Sequence, residues 1–184
     1  MTQCAVTMDE RGFRSLMSRF ATGVTVITSS GADGPAGMTA NAVASLSLDP
    51  LLVMIGFELE SRTLAAVRHS RRFAVNVLAS DQEQVSRTFA GKQPEREKFA
   101  GCAYTERSGV PVLAGAIAWL YCELAAVYPG GDHVIVVGSV VDMGENGGEP
   151  LVFYGGDYRR LDSDVGADRF RNARRRGRPG RVAR

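Results

Sequence analysis

AIAWLYCELAAVYPGGDHVIVVGSVVDM, running from Ala116 to Met143, decides how the rest of the chain is read. Ala116–Tyr128 is a long apolar, β-branched and aromatic run, Pro129-Gly130-Gly131-Asp132 is a turn cluster, and His133–Met143 is a second β-rich run. Two such runs around a glycine turn predict an antiparallel hairpin. Trp119 sits in mid-strand and is assigned to packing.

Outward from the hairpin, short runs alternate with breakers. Val24–Ser29 and Gly37–Ser47 flank the turn Gly31-Ala32-Asp33-Gly34-Pro35 and read as another hairpin. Leu51–Phe57, after Asp49-Pro50, reads as a buried strand, and Phe73–Val77 as an alternating one. Pro150–Tyr154 is a last strand after the loop Gly144–Glu149. Helices are expected at three places. Phe13, Leu16, Met17 and Phe20 form one apolar stripe, with Thr7 and Glu10 as a capping box and Gly23 as the stop. Ser61–Ser70 has Ser61 as its N-cap, and a helix to about Phe89 would open on Ser80 and Glu83. Gly91–Arg107 reads as irregular and Pro111–Ala114 as a connector. The count is six or seven strands with about three short helices. Hairpin-linked strands favour a mainly β, antiparallel barrel over a doubly wound α/β sheet.

The 184 residues suit one domain, read as 1–168, with 169–184 as an Arg-rich disordered tail. Eight arginines and no acids fall in Arg169–Arg184, so the preceding body holds 14 basic against 20 acidic residues, a net charge of −6. Such a body is not a nucleic-acid-binding surface. No apolar run approaches the ~18 residues of a membrane helix, and Met1–Phe20 has no signal-peptide pattern. Cys4, Cys102 and Cys122 are sparse and unpaired in pattern, which fits a reducing cytoplasm, and two histidines are too few for a Cys/His zinc cage.

The motifs of several enzyme classes are missing. There is no P-loop, no G-x-G-x-x-G, no G-x-S-x-G and no H-E-x-x-H. Chemistry here is expected to come from a borrowed cofactor. Four segments offer ligand contacts. Gly37–Ser45 combines small residues with Thr39, Asn41 and Ser45, which lets a planar ligand approach the backbone. Ser61-Arg62-Thr63 places two hydroxyls and a guanidinium at a helix start, suited to phosphate. Gly131-Asp132-His133 presents an imidazole from a tight turn, whereas His69 reads as a surface residue. Phe153-Tyr154-Gly155-Gly156-Asp157-Tyr158 brackets a glycine turn with aromatics.

The order and spacing of these pieces resemble the short flavin reductases that supply two-component flavin-dependent monooxygenases. The resemblance runs from about Phe13 to Leu161. It rests on Phe20–Thr28, Gly37–Ala42, Ser45–Pro50, Phe73–Leu78, Phe89-Ala90-Gly91, Gly131-Asp132-His133 and Phe153–Tyr158. Ala42 stands where the family often carries serine, and the arginine tail has no family counterpart.

The resemblance implies a flavin-binding split β-barrel, a six-stranded Greek-key antiparallel barrel with peripheral helices, in a homodimer. It implies hydride transfer from NADH, or NADPH, to FAD or FMN, with reduced flavin released to a separate monooxygenase. By position, Met38, Thr39, Ala40, Asn41 and Ser45 would line the flavin ring, and Ser61, Arg62 and Thr63 would hold phosphate. Phe89 and Ala90 would border the cofactor, and Lys98 would reach phosphate or adenine. His133, the one catalytic candidate, and Tyr158 would face the nicotinamide, and no metal is expected. Rival readings are a non-catalytic flavin carrier or store on the same fold, a pyridoxine-phosphate oxidase-like enzyme, and an interaction module using the basic tail.

Overall fold

The computed structural model describes residues 7–161. Cys4 and the arginine tail therefore lie outside the described residues, as does Thr7's neighbour Val6.

In chain order the elements are α1 (Glu10–Met17), β1 (Thr22–Gly23), β2 (Thr25–Gly31), β3 (Gly34–Ala40), β4 (Val43–Leu48) and β5 (Leu51–Glu58). Then come α2 (Arg62–Ser70), β6 (Arg72–Val77), α3 (Glu83–Ala90), α4 (Glu95–Ala100), β7 (Tyr104–Arg107) and β8 (Val110–Leu113). The last four are β9 (Ala118–Gly130), β10 (His133–Glu145), β11 (Val152–Tyr154) and β12 (Asp157–Arg159). Seven strands form one sheet in the order β3-β2-β6-β9-β10-β5-β4, antiparallel at every pairing. Small sheets β1-β11-β12 and β7-β8 flank it.

The β9–β10 hairpin is tighter than its sequence suggests. Pro129 and Gly130 belong to the ladder, opposite Val134 and His133, and only Gly131 and Asp132 form the loop. Gly131 has φ +78°, a conformation for which glycine carries no Cβ penalty. Register shifts at Val137/Gly138 and Val140/Asp142 bend the long pair.

The stretch Gly37–Ser47, expected as one strand, is two. β3 and β4 are the opposite edges of the seven-stranded sheet, yet only Asn41 and Ala42 separate them. Two residues span less than ~8 Å, so the sheet has to curl until its edges approach. Gly56 N–H donates to Ala42 O at 2.9 Å and anchors the link to β5.

Inside the curl lie Ile27, Ile55, Phe57, Phe73, Val75 and Val136, capped by Leu64 and Val67 of α2. β6 supplies two cores at once, because strand side chains alternate. Phe73 and Val75 face the curled interior, whereas Ala74 meets Val110, Val112 and Tyr121 on the other side. Asn76 is fully buried on that other side and satisfies itself by donating to Val26 O (3.0 Å) and Thr28 Oγ1 (3.1 Å) and accepting from Leu113 N (2.8 Å). It thereby pins β8 to the sheet. A third cluster, Val24, Val26, Leu78, Phe89, Phe99, Leu113 and Leu151, seats α3 and α4.

Several local expectations are corrected. Asp9, not Thr7, caps α1, accepting from Gly12 N at 2.7 Å, and the helix stops at Met17 rather than Gly23. Its stripe is not core: Phe13, Leu16, Met17 and Phe20 are all more than half exposed. Ser80 does not cap α3; Gln82 precedes it, with Oε1 accepting from Ala79 N. Ser61 does cap α2, accepting from Leu64 N at 3.3 Å. The supposedly irregular Gly91–Arg107 holds α4 and β7, and the supposed connector at Pro111 is β8. Leu51–Phe57 is buried on one face only, with Leu51 and Met54 outside. Trp119 packs as expected, against the cluster of Ala74 and Tyr121, and His69 is exposed.

Candidate functional site

A cleft of about 650 Å³ opens where the curled sheet meets its helices, a volume typical of small-molecule sites. One wall is Met38, Thr39 and Ala40 of β3 with the Asn41-Ala42 link. The turn into α2 adds Glu60, Ser61, Arg62 and Thr63, and the α3–α4 segment adds Phe89, Ala90, Gly91, Lys92, Glu95 and Lys98. Gly56, Glu58 and His133 of the β5–β10 pair complete it.

The β3 wall offers backbone. Gly37 N–H donates to Glu95 Oε2 at 2.9 Å and Gly37 O accepts from Lys98 Nζ at 3.0 Å, so both groups turn away from β2. Backbone direction alternates along an antiparallel edge, which turns the N–H and C=O of Thr39 the same way. Gly37 also has to be glycine: a Cβ there would lie 2.7 Å from Phe89 Cε1. The Phe89 ring therefore lies directly against the strand. The Thr39 hydroxyl is spent on α3, donating to Ser86 O at 2.6 Å, which leaves its main chain as the ligand-facing part.

The basic side of the cleft is already partnered. Arg62 Nη2 donates to Gln93 O at 2.6 Å and Lys92 O at 3.2 Å, and lies 3.1 Å from Glu95 Oε1. Among the described residues, Arg62 Nη1 and Nε have no partner. Lys98 is buried, with Nζ 3.1 Å from the same Oε1. That oxygen is itself buried, and neither cation reaches it with hydrogen-bond geometry.

At the β5–β10 pair, His133 stands opposite Glu58 in the ladder. Its Nδ1 is 2.8 Å from Asp132 Oδ1. The hydrogen bond and then the charge of His133 hold the Asp132 carboxyl below its ordinary value. A carboxylate only accepts, so Nδ1 carries the proton and Nε2 of a neutral ring is left with its lone pair.

Of the residues singled out from sequence, Met38, Thr39, Ala40, Asn41, Ser61, Arg62, Thr63, Phe89, Ala90, Lys98 and His133 come together here. Two do not. Ser45 is exposed on β4 and is not part of the cleft lining. Tyr158 is half-buried against Phe153, and its hydroxyl pairs with Ser86 Oγ at 2.8 Å, so it supports α3 from behind. The sequence reading missed Glu58, Glu60, Gly56, Lys92 and Glu95. Pro94-Glu95 is a helix-start signal that would have located Glu95, and an isolated glycine in a strand run hints at close approach at Gly56. No group of metal-ligating side chains exists among the described residues.

Comparison with known proteins matches residues 17–162 to the flavin reductase like domain. The reductase subunit HsaB of a flavin-dependent monooxygenase from Mycobacterium tuberculosis is 40% identical over 161 residues, covering 85% of each chain. An NADH-dependent flavin reductase from a Rhodococcus species is 39% identical over 171 residues, 88% of this chain and 94% of that one. Among solved structures, the NADH:FAD oxidoreductase SgcE6 of Streptomyces globisporus superposes with a TM-score of 0.83 at 36% identity, covering 90% of this chain and all of that one. The same protein has been solved in complex with NAD and FAD fragments.

Proposed function

The chain belongs to the flavin reductase like domain family, and from that premise we propose that it is an NADH-dependent flavin reductase that passes reduced flavin to a separate monooxygenase. The observation that carries the reading is the cleft, which gathers an outward-facing β3 backbone, three cations and His133 around one space. This donor set suits a flavin nucleotide: main-chain groups for the ring's polar edge and charge for its phosphate.

A bound flavin supplies the hydride acceptor, and the nicotinamide supplies the hydride. The chain itself needs neither acid nor nucleophile; it positions two rings at roughly 3–3.5 Å. Met38–Asn41 form the flavin wall, with the Thr39 N–H as a donor to its polar edge. Ser61, Arg62 and Thr63 take the phosphate. Phe89 and Ala90 close the back of the ring site. His133, locked by Asp132, offers Nε2 as an acceptor to the nicotinamide amide and excludes water beside it. FAD is the preferred flavin in this reading and NADH the preferred donor.

The reading includes a homodimer, supported by the exposed apolar stripe of α1 and by exposed Leu48, Leu51, Met54 and Met143 around β4, β5 and β10. It includes a split barrel, supported by the two-residue link between the sheet's edges. It includes a cytoplasmic site of action, supported by the thiols of Cys102 and Cys122, which form no disulfide among the described residues; no helix among the described residues is long and apolar enough to cross a membrane.

The test follows NADH oxidation at 340 nm with purified protein, with and without FAD or FMN. Turnover that requires free flavin and saturates with it is expected. Flavin binding without turnover by NADH or NADPH would make the protein a carrier instead.

A further inference from the structure

We propose that Glu95 is a resident anion at the flavin phosphate site, displaced by the ligand's phosphate, and that it sets how tightly flavin is held. The proposal rests on the reading of the cleft as a flavin site. The donors that a phosphate would recruit are a guanidinium, an ammonium and a backbone N–H. Here all three converge on one carboxylate: Arg62 Nη2 and Lys98 Nζ at 3.1 Å from Oε1, and Gly37 N at 2.9 Å from Oε2. They come from α2, α4 and β3, three elements separate in the sequence.

The carboxylate fills this place imperfectly. Oε1 is buried but lacks a hydrogen bond of good geometry, and a buried acceptor left so is costly. Arg62 is held without it, through Gln93 O and Lys92 O. Lys98 keeps Gly37 O as an acceptor. Swinging the Glu95 side chain outward thus leaves both cations placed and needs no change of fold.

Charge gives the consequence. Arg62, Lys92 and Lys98 face Glu58, Glu60 and Glu95 in the cleft, so an arriving phosphate meets a site already balanced. It has to compete with Glu95 for Arg62 and Lys98, which weakens binding of any flavin nucleotide. A reductase that hands its product on gains from a site that releases it.

The test compares FMN with riboflavin, which lacks the phosphate, by fluorescence titration of wild type, Glu95→Gln and Glu95→Ala. Removing one charge a few Å from the phosphate is expected to lower the FMN dissociation constant roughly tenfold, with riboflavin unchanged. An FMN constant that stays the same or rises overturns the proposal. So does an equal change for both flavins, which would mean that Glu95 only shapes the cleft. If neither variant gives a cooperative melt, Glu95 is a fixed structural counter-ion and the proposal is equally overturned. Wild type that binds neither flavin is a separate result, and it would remove the flavin reading itself.

Discussion

Single atoms decide much of the cleft. Asp132 fixes the tautomer of His133 across 2.8 Å, but it is a surface residue, and exposed pairs contribute little. Asp132→Asn is expected to raise the KM for NADH about three- to fivefold and to leave thermal stability alone, which steady-state kinetics and a melt would check. Because the hydrogen bond to His133 and that ring's charge hold the Asp132 carboxyl below its ordinary value of 3.8, its contribution is whole above that pH and is lost only as pH falls below it. The titration of the Asp132 carboxyl itself therefore falls on the acid side of neutrality. Gly37→Ala drives a Cβ to 2.7 Å from Phe89 Cε1. Overpacking of this kind costs about 1–3 kcal/mol, to be seen as a lower urea midpoint together with weaker flavin binding. Cys122 is buried in the core, and burial pushes its thiol up to about 12. An unfolded chain starts releasing that proton near 9.0. Its share of stability is thus complete below pH 9.0 and declines as pH rises toward 12. Wild type should lose urea resistance over this alkaline window, and Cys122→Ala should lose less.

At the level of elements, the sequence was readable wherever one local signal settled the matter. Ser61 before an apolar period located α2 and its cap; Ser61→Ala should cost about 1 kcal/mol, measurable by denaturation. The glycine turn located β9 and β10. Local signals failed where distant contacts decide. Pro111–Ala114 looks like a connector because it opens on a proline, yet Asn76 and Ala74 recruit Val110–Leu113 as β8. Gly37–Ser47 reads as one strand because nothing within it reports that its halves pair with β2 and β5 on opposite edges. The stripe of α1 has true helical period but stays exposed among the described residues, and periodicity alone does not say what an apolar face will meet. The cleft was more legible than the sheet, since its small residues, its helix start and its turn histidine each carry chemistry in their own segment. Glu95 was hidden because its meaning depends on Arg62, 33 positions away in the sequence.

For the whole molecule, the exposed apolar surface is the open account. Phe13, Leu16, Met17 and Phe20 lie exposed on an arm that Gly155 N–H ties to the body by donating to Ser18 O at 2.7 Å. If a second copy covers this arm, Leu16→Glu should shift the protein toward monomer in sedimentation equilibrium while leaving its melting cooperative. An unchanged mass would mean that α1 is not part of the contact.

The strand order also carries a consequence for biosynthesis. β9 and β10 occupy the centre of the sheet, between β6 and β5, although they are among the last strands to be made. On the ribosome, β2, β3 and β6 form one fragment and β4 and β5 another, each with an open edge and no neighbour to close it. The two fragments are joined, and His133 meets the cleft, only when the chain has emerged past Glu145. A ribosome stalled just before that point would hold a sticky, ligand-blind half-sheet, so nascent chains of this protein should need chaperone cover until nearly the end of translation.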